Sequence, residues 1–451
     1  MNPPAAIPVV NELSTRQRWL VLVAAFLAWM FAGMEISLFV LISRPAIIDL
    51  LGPRFESGQI EQVAAQWFAW YQAAFLLGAA AGGWVFGSLG DRVGRTRAMA
   101  ASVLCYSIVT GITYFASDPT TILVLRFVAC LGIGGAWPNA VALAVEGLPG
   151  VSRPLLAGLM GAAANVGFVL LGVVCYYFFV TPDSWRWVLL VGATPAILGV
   201  FAWALVPESP RWLAGQAASV GASSQSQPIR EILRRPLLSR TLIGICLGAI
   251  PVIGTSANAN WLVPWSDKSA AAHAAESDSS TASSASANAA AQRGGDPSKK
   301  AWTQITRSGG AIFGSLLGGF IASLLGRRLT YFLISLASFA TSSYIYSFLD
   351  PQDPMFSWFA FLLGFVGVTY FGWLPLYLPE LFPTRVRTTG TGVTFNSGRI
   401  LAAACVLGAG ILAGWFHGDY ARVGTFTGLI YVAGMVIICF APDTTKNRME
   451  D

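Results

Sequence analysis

Charge is what this sequence has least of. Only 11% of its 451 residues are Asp, Glu, Lys or Arg, while 55% are hydrophobic; soluble domains carry about 25% charge. With a mean hydropathy of +0.61, folding in water would leave too much apolar surface exposed, so a lipid bilayer is the expected solvent. Histidine is nearly absent, at two residues, and the six cysteines (Cys105, Cys130, Cys175, Cys246, Cys405 and Cys439) all fall inside apolar runs. None forms a Cys-x-x-Cys pair or a ligand cluster with His273 or His417. No metal site, disulfide frame or cofactor is therefore expected, and the thiols read as small hydrophobes. The chain has no phosphate-binding glycine loop and no nucleophile–base constellation, which argues against ATP-driven transport by this chain alone and against an enzyme. Its net charge of +6 does not point to nucleic acid, because the cations are scattered through short loops and not clustered.

What is present is a series of long apolar runs. A spanning helix needs about 20 mostly apolar residues, which predicts an all-α membrane protein of about twelve transmembrane helices. They are expected near 19–41, 64–89, 98–117, 121–147, 154–181 and 186–206, then near 241–265, 303–325, 329–349, 356–379, 388–414 and 422–441. No small-residue cleavage site follows a short apolar core, so the first run reads as a retained helix.

The loops repeat. Gly87-Ser88-Leu89-Gly90-Asp91-Arg92-Val93-Gly94-Arg95 is matched by a later loop that starts at Gly319 and ends in Gly326-Arg327-Arg328. Glu146-x-x-Pro149-x-x-x-Arg153 is matched, at nearly the same offset, by Glu380-x-x-Pro383-x-x-x-Arg387. Pro207-Glu208-Ser209-Pro210-Arg211 closes the first half as Pro442-Asp443-Thr444-Thr445-Lys446 closes the second. Matched pairs at nearly one offset predict two equivalent halves. The loops holding Arg92, Arg95, Arg97, Arg153, Arg327, Arg328, Arg385 and Arg387 lie on one side, which the positive-inside rule makes cytoplasmic, with both termini. The expected division is a cytoplasmic segment 1–18, a six-helix bundle 19–206, a cytoplasmic linker 207–240, a second bundle 241–441 and a cytoplasmic tail 442–451. The Ala/Ser-rich tract 266–300 reads as a disordered insert on the outer side.

In the first loop, glycines permit a tight turn, and Asp91 is suited to accept from helix N-terminal amides and from Arg95. Ser323 stands where Asp91 does in the first copy, so a charge lock is expected to be weaker or absent there. The loop at 87–97 resembles the signature between the second and third helices of the major facilitator superfamily. Trp185-Arg186-Trp187, Pro207-Glu208-Ser209-Pro210-Arg211 and Pro379-Glu380-Leu381-Phe382-Pro383-Thr384-Arg385 are similar to sugar-porter signatures. The segment Arg387 to Arg399 resembles the sialic-acid and aromatic-acid proton symporters and the organic-anion carriers. The resemblance implies two six-helix bundles around a central cavity that opens alternately to each side.

Charges inside spans are costly, so each is a functional candidate. Glu35 and Arg126 lie roughly 9 and 8 Å below the outer ends of the first and fourth helices, at about 1.5 Å per residue. An ion pair is expected, and sugar-porter relatives pair an acid in the first helix with an arginine in the fourth. Conformational separation of the pair would let Glu35 take up a proton; the alternative is a static pair that fixes packing. Arg399 sits roughly 16 Å into the eleventh helix, near the midplane, where a guanidinium offers a carboxylate a planar fork. Asn396 lies one turn away, and Asn165 holds the matching depth in the first half. Arg399 pairing with a carboxylate or helix carbonyls elsewhere in the bundle is the alternative.

Further cavity candidates are Tyr71, Gln72, Trp137, Asn258 and Trp373, each of which could instead pack helices. Asp91, Arg92, Arg95, Glu146, Arg153, Glu208, Arg211, Glu380 and Arg387 read as a cytoplasmic gating network. The expected function is proton-coupled symport of a small organic acid, by a monomer with protons as the coupling partner. A neutral sugar:proton symporter and a transporter-like nutrient sensor are the other readings.

Overall fold

The computed structural model describes residues 13–148, 151, 153–218, 228–279, 296–383 and 386–444. Twelve helical spans account for nearly all of them. The first half holds α1 (Thr15–Leu51), α2 (Ser57–Val93), α3 (Arg95–Thr113), α4 (Pro119–Gly147), α5 (Arg153–Tyr177) and α6, in two pieces (Trp187–Ala193 and Ala196–Leu205). The second holds α7 (Leu237–Ile253, continuing below), α8 (Ser298–Leu325), α9 (Arg327–Phe348), α10 (Pro354–Glu380), α11 (Arg387–Trp415) and α12 (Tyr420–Phe440). Two short helices, Pro210–Ala218 and Pro228–Ile232, lie in the linker.

Local chemistry starts these helices where they start. Ser14 and Gln17 cap α1 reciprocally, each side chain accepting from the other's backbone amide. Asp118 caps α4 by accepting from the Thr121 amide at 2.8 Å. The α2–α3 turn pivots on Gly94, whose φ of +111° is a left-handed value that a side chain resists. Gly326, at φ +85°, does the same at the equivalent turn between α8 and α9.

Ten of the helices are long and apolar enough to cross a membrane on composition alone. The two that fall short are α3 and α9, at equivalent places in the two halves. Both are rich in hydroxyls that bond back to their own helix: Ser102 to the Ala98 carbonyl, Thr113 to Val109, Ser335 to Tyr331 and Thr330 to Gly326. Back-bonding satisfies each of these hydroxyls within one helix, so none of them needs a polar neighbour.

The halves meet along two seams, α2 against α11 and α5 against α8, which the repeat makes equivalent. Within the second half, Gly310, Gly314 and Gly318 give α8 a one-sided stripe of small residues. A Cβ on any of the three would sit within 2.4 Å of an α10 carbonyl oxygen, so the two backbones touch directly. The α2–α11 seam is tight toward one end and loosens toward the other. A Cβ at Gly410 or Gly414 would collide with Ala69 or Gln66, whereas one at Gly87 or Gly392 would meet nothing within 4 Å.

Three expectations are corrected. The first span runs to Leu51, well beyond the expected end near 41, with Pro45 inside it. The sixth is broken between Ala193 and Ala196. The seventh loosens to a π-turn at Gly254–Asn258 and tightens to a 3-10 turn at Ala259–Trp261, then resumes over Leu262–Ser279. Residues 266–279 and 296–300 are therefore ordered, not part of a disordered insert, because Asp267 and Lys300 find charge partners inside the protein. Residues 280–295 and 445–451 lie outside the described residues.

Candidate functional site

Glu35 is fully buried on α1. Its Oε1 accepts from the Thr110 hydroxyl of α3 at 2.5 Å and from Arg126 Nη1 at 3.5 Å; its Oε2 has no hydrogen-bond partner. Arg126, on α4, donates also to the carbonyls of Glu35 and Ile36, at 3.1 and 3.3 Å. Its guanidinium lies 4.4 Å from the centre of the Phe39 ring. The two charges meet although their helix ends do not match. Glu35 lies roughly 24 Å from the end of α1, because that helix projects well past the start of α4. The pair is a loose single-point contact, and the closer partner of the carboxylate is Thr110.

Arg399 sits on the α2–α11 seam, 9% exposed. It donates to the Ala79 carbonyl of α2 at 3.2 Å and weakly to Asn396 Oδ1 at 3.5 Å, with the Phe395 ring 4.8 Å below the guanidinium. No described carboxylate pairs with it. Its repeat counterpart, Asn165 of α5, bridges the other seam and donates to Ser315 Oγ of α8 at 3.3 Å. Equivalent positions thus send a polar group across each seam, a charged one in one case and a neutral one in the other.

The remaining cavity candidates separate. Gln72 is buried with both amide atoms unpartnered. Trp137 packs against Trp29, ring centres 4.8 Å apart. Tyr71 donates to the Pro119 carbonyl at 3.3 Å and packs beside Phe39 and Trp67. Asn258 is satisfied inside the second half, donating to the Gly424 carbonyl and Thr427 and accepting from Ser342. Trp373 donates to the Arg327 carbonyl and stacks on Tyr377 at 4.5 Å. Tyr71, Asn258 and Trp373 thus serve packing in this conformation, because their polar atoms already have protein partners.

At the end bearing the arginine-rich loops, the charges lock each half internally. Arg95 bonds Asp91 at 2.5 Å and lies 3.7 Å from Glu146; Ser209 donates to Glu146. Glu208, not Asp91, caps α3, accepting from the Thr96 amide at 3.0 Å. In the second half Arg327 takes Glu380 at 2.8 Å, and Thr444 donates to the same carboxylate. A lock expected to be weak or absent there is present: Arg327 and Glu380 repeat Arg95 and Glu146, while Ser323 bonds its own helix at Gly319. Arg387 makes a long contact of 3.5 Å to the Phe382 carbonyl, and Arg92 and Arg211 are exposed. The side chain of Arg153, along with Pro149, Thr384 and Arg385, lies outside the described residues.

The charge network that joins the halves lies at the opposite end, where the sequence reading placed no site. Arg44 of α1 grips Glu61 of α2 with two nitrogens, at 2.6 and 3.1 Å, and Asp267 of α7 at 2.8 Å. Lys300 of α8 takes the other Asp267 oxygen at 2.9 Å. Arg44, Asp267 and Lys300 are each no more than 5% exposed. Arg44 sits beside a proline, past the expected end of the first span, and Asp267 and Lys300 fall in the Ala/Ser tract, so none stood out as a charge within a span.

The family described as Sugar (and other) transporter matches over residues 46–232. The cis,cis-muconate transport protein of Acinetobacter baylyi is 24% identical over 76% of this chain and 76% of its own. The sialic acid transporter NanX of Escherichia coli is 23% identical over 75% of each chain. Among solved structures, the inward-open xylose transporter XylE of Escherichia coli aligns with a TM-score of 0.65 at 16% identity, covering 96% of this chain and 98% of that one.

Proposed function

We propose that this chain, a membrane transporter of the major facilitator superfamily and not an enzyme, carries a small organic anion by alternating access in symport with protons. The observation that carries the anion is Arg399: a buried guanidinium on the seam, held by a backbone carbonyl, an amide oxygen and an aromatic face, without a described carboxylate. Such a group has fork donors ready for a substrate carboxylate. Relatives named for cis,cis-muconate and sialic acid support an acid of that chemistry.

Proton coupling is assigned to Glu35 and Arg126. In the buried pair, low dielectric disfavours charge on Glu35 while Arg126 and Thr110 favour it, so a small displacement of α1 against α4 shifts the balance. Glu35 then holds its proton in one conformation and releases it in the other. The end bearing the arginine-rich loops faces the cytoplasm, the substrate and proton travel inward, and the functional unit is the monomer. Closure at the Arg44 end, with open space at Gly87 and Gly392, is the arrangement of an inward-facing state.

The test is uptake into proteoliposomes under an imposed pH gradient, with cis,cis-muconate, N-acetylneuraminate, benzoate and xylose as substrates. Accumulation of an acid driven by an inward proton gradient is expected. Accumulation of xylose alone favours the neutral-sugar reading and removes the role of Arg399.

A further inference from the structure

Arg307 lies on α8, in an otherwise uncharged stretch. It is 3% exposed, its Nε and Nη2 have no hydrogen-bond partner, and no ion pair among the described residues includes it. Arginine does not shed its proton in proteins, and an unpaired charge at this depth is strongly unfavourable. The site is therefore incomplete without an anion.

Its surroundings are those of a binding site. The Phe168 ring of α5 lies 5.6 Å from the guanidinium carbon. Tyr346 and Tyr431 lie within electrostatic reach of Arg307; Tyr346 donates to the Asn258 carbonyl at 2.7 Å, and the Tyr431 hydroxyl packs against Gly254, where α7 breaks. In that break Asn260 Oδ1 also lacks a partner. Broken helices near the midplane are where transporters of this architecture gather polar substrate contacts. One turn before Arg307, Gln304 donates to the Phe168 carbonyl across the α5–α8 seam and leaves Oε1 unpartnered. Gln72, which holds the equivalent place on α2, is likewise unpartnered.

The geometry points to Arg307 as a second carboxylate-recognition group of the transport site. Resting on the organic-anion reading above, it makes the preferred substrate a dicarboxylate. Arg399 is the repeat counterpart of Asn165, which meets Ser315, roughly 12 Å along α8 from Arg307. By the repeat, the two guanidinium groups are staggered in depth on different helices of the second half, an arrangement suited to an elongated diacid more than to a compact monoacid.

Binding of cis,cis-muconate, benzoate and xylose to the purified full-length protein tests this, by titration calorimetry with parallel melting curves. Arg307→Gln is expected to weaken muconate at least tenfold and benzoate less, with a ligand-free Tm unchanged or raised, because an uncompensated charge has gone. Arg307→Lys, which keeps the charge without the fork, is expected to retain part of the affinity. Muconate affinity within twofold of wild type in Arg307→Gln overturns the inference, and so does a ligand-free Tm lowered by several degrees with binding intact, since Arg307 would then be structural. Equal losses for both acids overturn the diacid preference and keep the carboxylate contact. A wild-type protein that binds xylose and neither acid overturns both this inference and the organic-anion reading beneath it.

Discussion

Arg44 and Asp267, far apart in the chain, are joined by a buried hydrogen bond of 2.8 Å that ties α1 of the first half to α7 of the second. With Glu61 and Lys300 the cluster is neutral, two positive charges against two negative. Within it only the Arg44–Asp267 bond crosses between the halves; Arg44–Glu61 lies within the first half and Asp267–Lys300 within the second. Under the alternating-access proposal, opening that end breaks the crossing bond and leaves each remaining pair within its own half.

Asp267→Asn removes the carboxylate shared by Arg44 and Lys300, so Lys300 loses its described counter-charge while Arg44 keeps Glu61. Breaking a buried pair in this way typically costs about 3–5 kcal/mol. The closed end is expected to open more often, read as faster modification by a membrane-impermeant thiol reagent at an Ala271→Cys reporter. Labelling at the wild-type rate would show that packing alone holds this end shut.

Glu35→Gln keeps the Thr110 contact and removes the titratable group. Proton-driven accumulation in proteoliposomes is expected to vanish while substrate exchange between preloaded vesicles and medium persists. Undiminished uphill uptake by the variant would assign coupling to another residue.

Arg399→Ala is expected to reduce organic-anion uptake at least tenfold, the range expected for a lost charge-assisted contact of about 1.5–3 kcal/mol. Arg399→Lys should recover only part of it, because an ammonium lacks the planar fork. Equal transport of the anion by wild type and Arg399→Ala would leave Arg399 as a seam contact to Ala79 only.

Gly94→Ala places a Cβ at φ +111°, where it would lie 2.1 Å from Glu208 Oε2. Backbone strain of about 1–3 kcal/mol and displacement of the α3 cap are expected to lower the melting temperature in detergent. Gly326→Ala, at φ +85°, meets the same backbone strain and is expected to lower the melting temperature as well. A wild-type melting temperature in Gly94→Ala would show that neither the strain nor the displaced cap matters to stability.

Much of the architecture is legible in the sequence because it depends on local or repeated features. Run length and hydropathy mark the spans, and the glycine-and-arginine loops recur at one offset because each half needs the same tight turn. Arg95 and Glu146 are readable as members of one network for that reason. The lock between Arg327 and Glu380 is harder to read, because Ser323 marks where the copies differ while the working carboxylate lies on another helix.

Composition and repetition alone settle the solvent, the helix number, the two matched halves and three of the buried charges. Folding decides which charges are neutralised and which are not. Arg44 meets its carboxylates through α2 and the distant α7, so a stretch of polar and small residues becomes ordered helix at Asp267 and Lys300. Asn258 and Trp373 look like cavity residues in the chain and are satisfied inside the second half once it folds. Arg307 looks like one more arginine until packing surrounds it with groups that cannot neutralise it. Whether a charge is paired depends on contacts between distant segments, and burial, which makes the difference energetically large, exists only in the assembled fold.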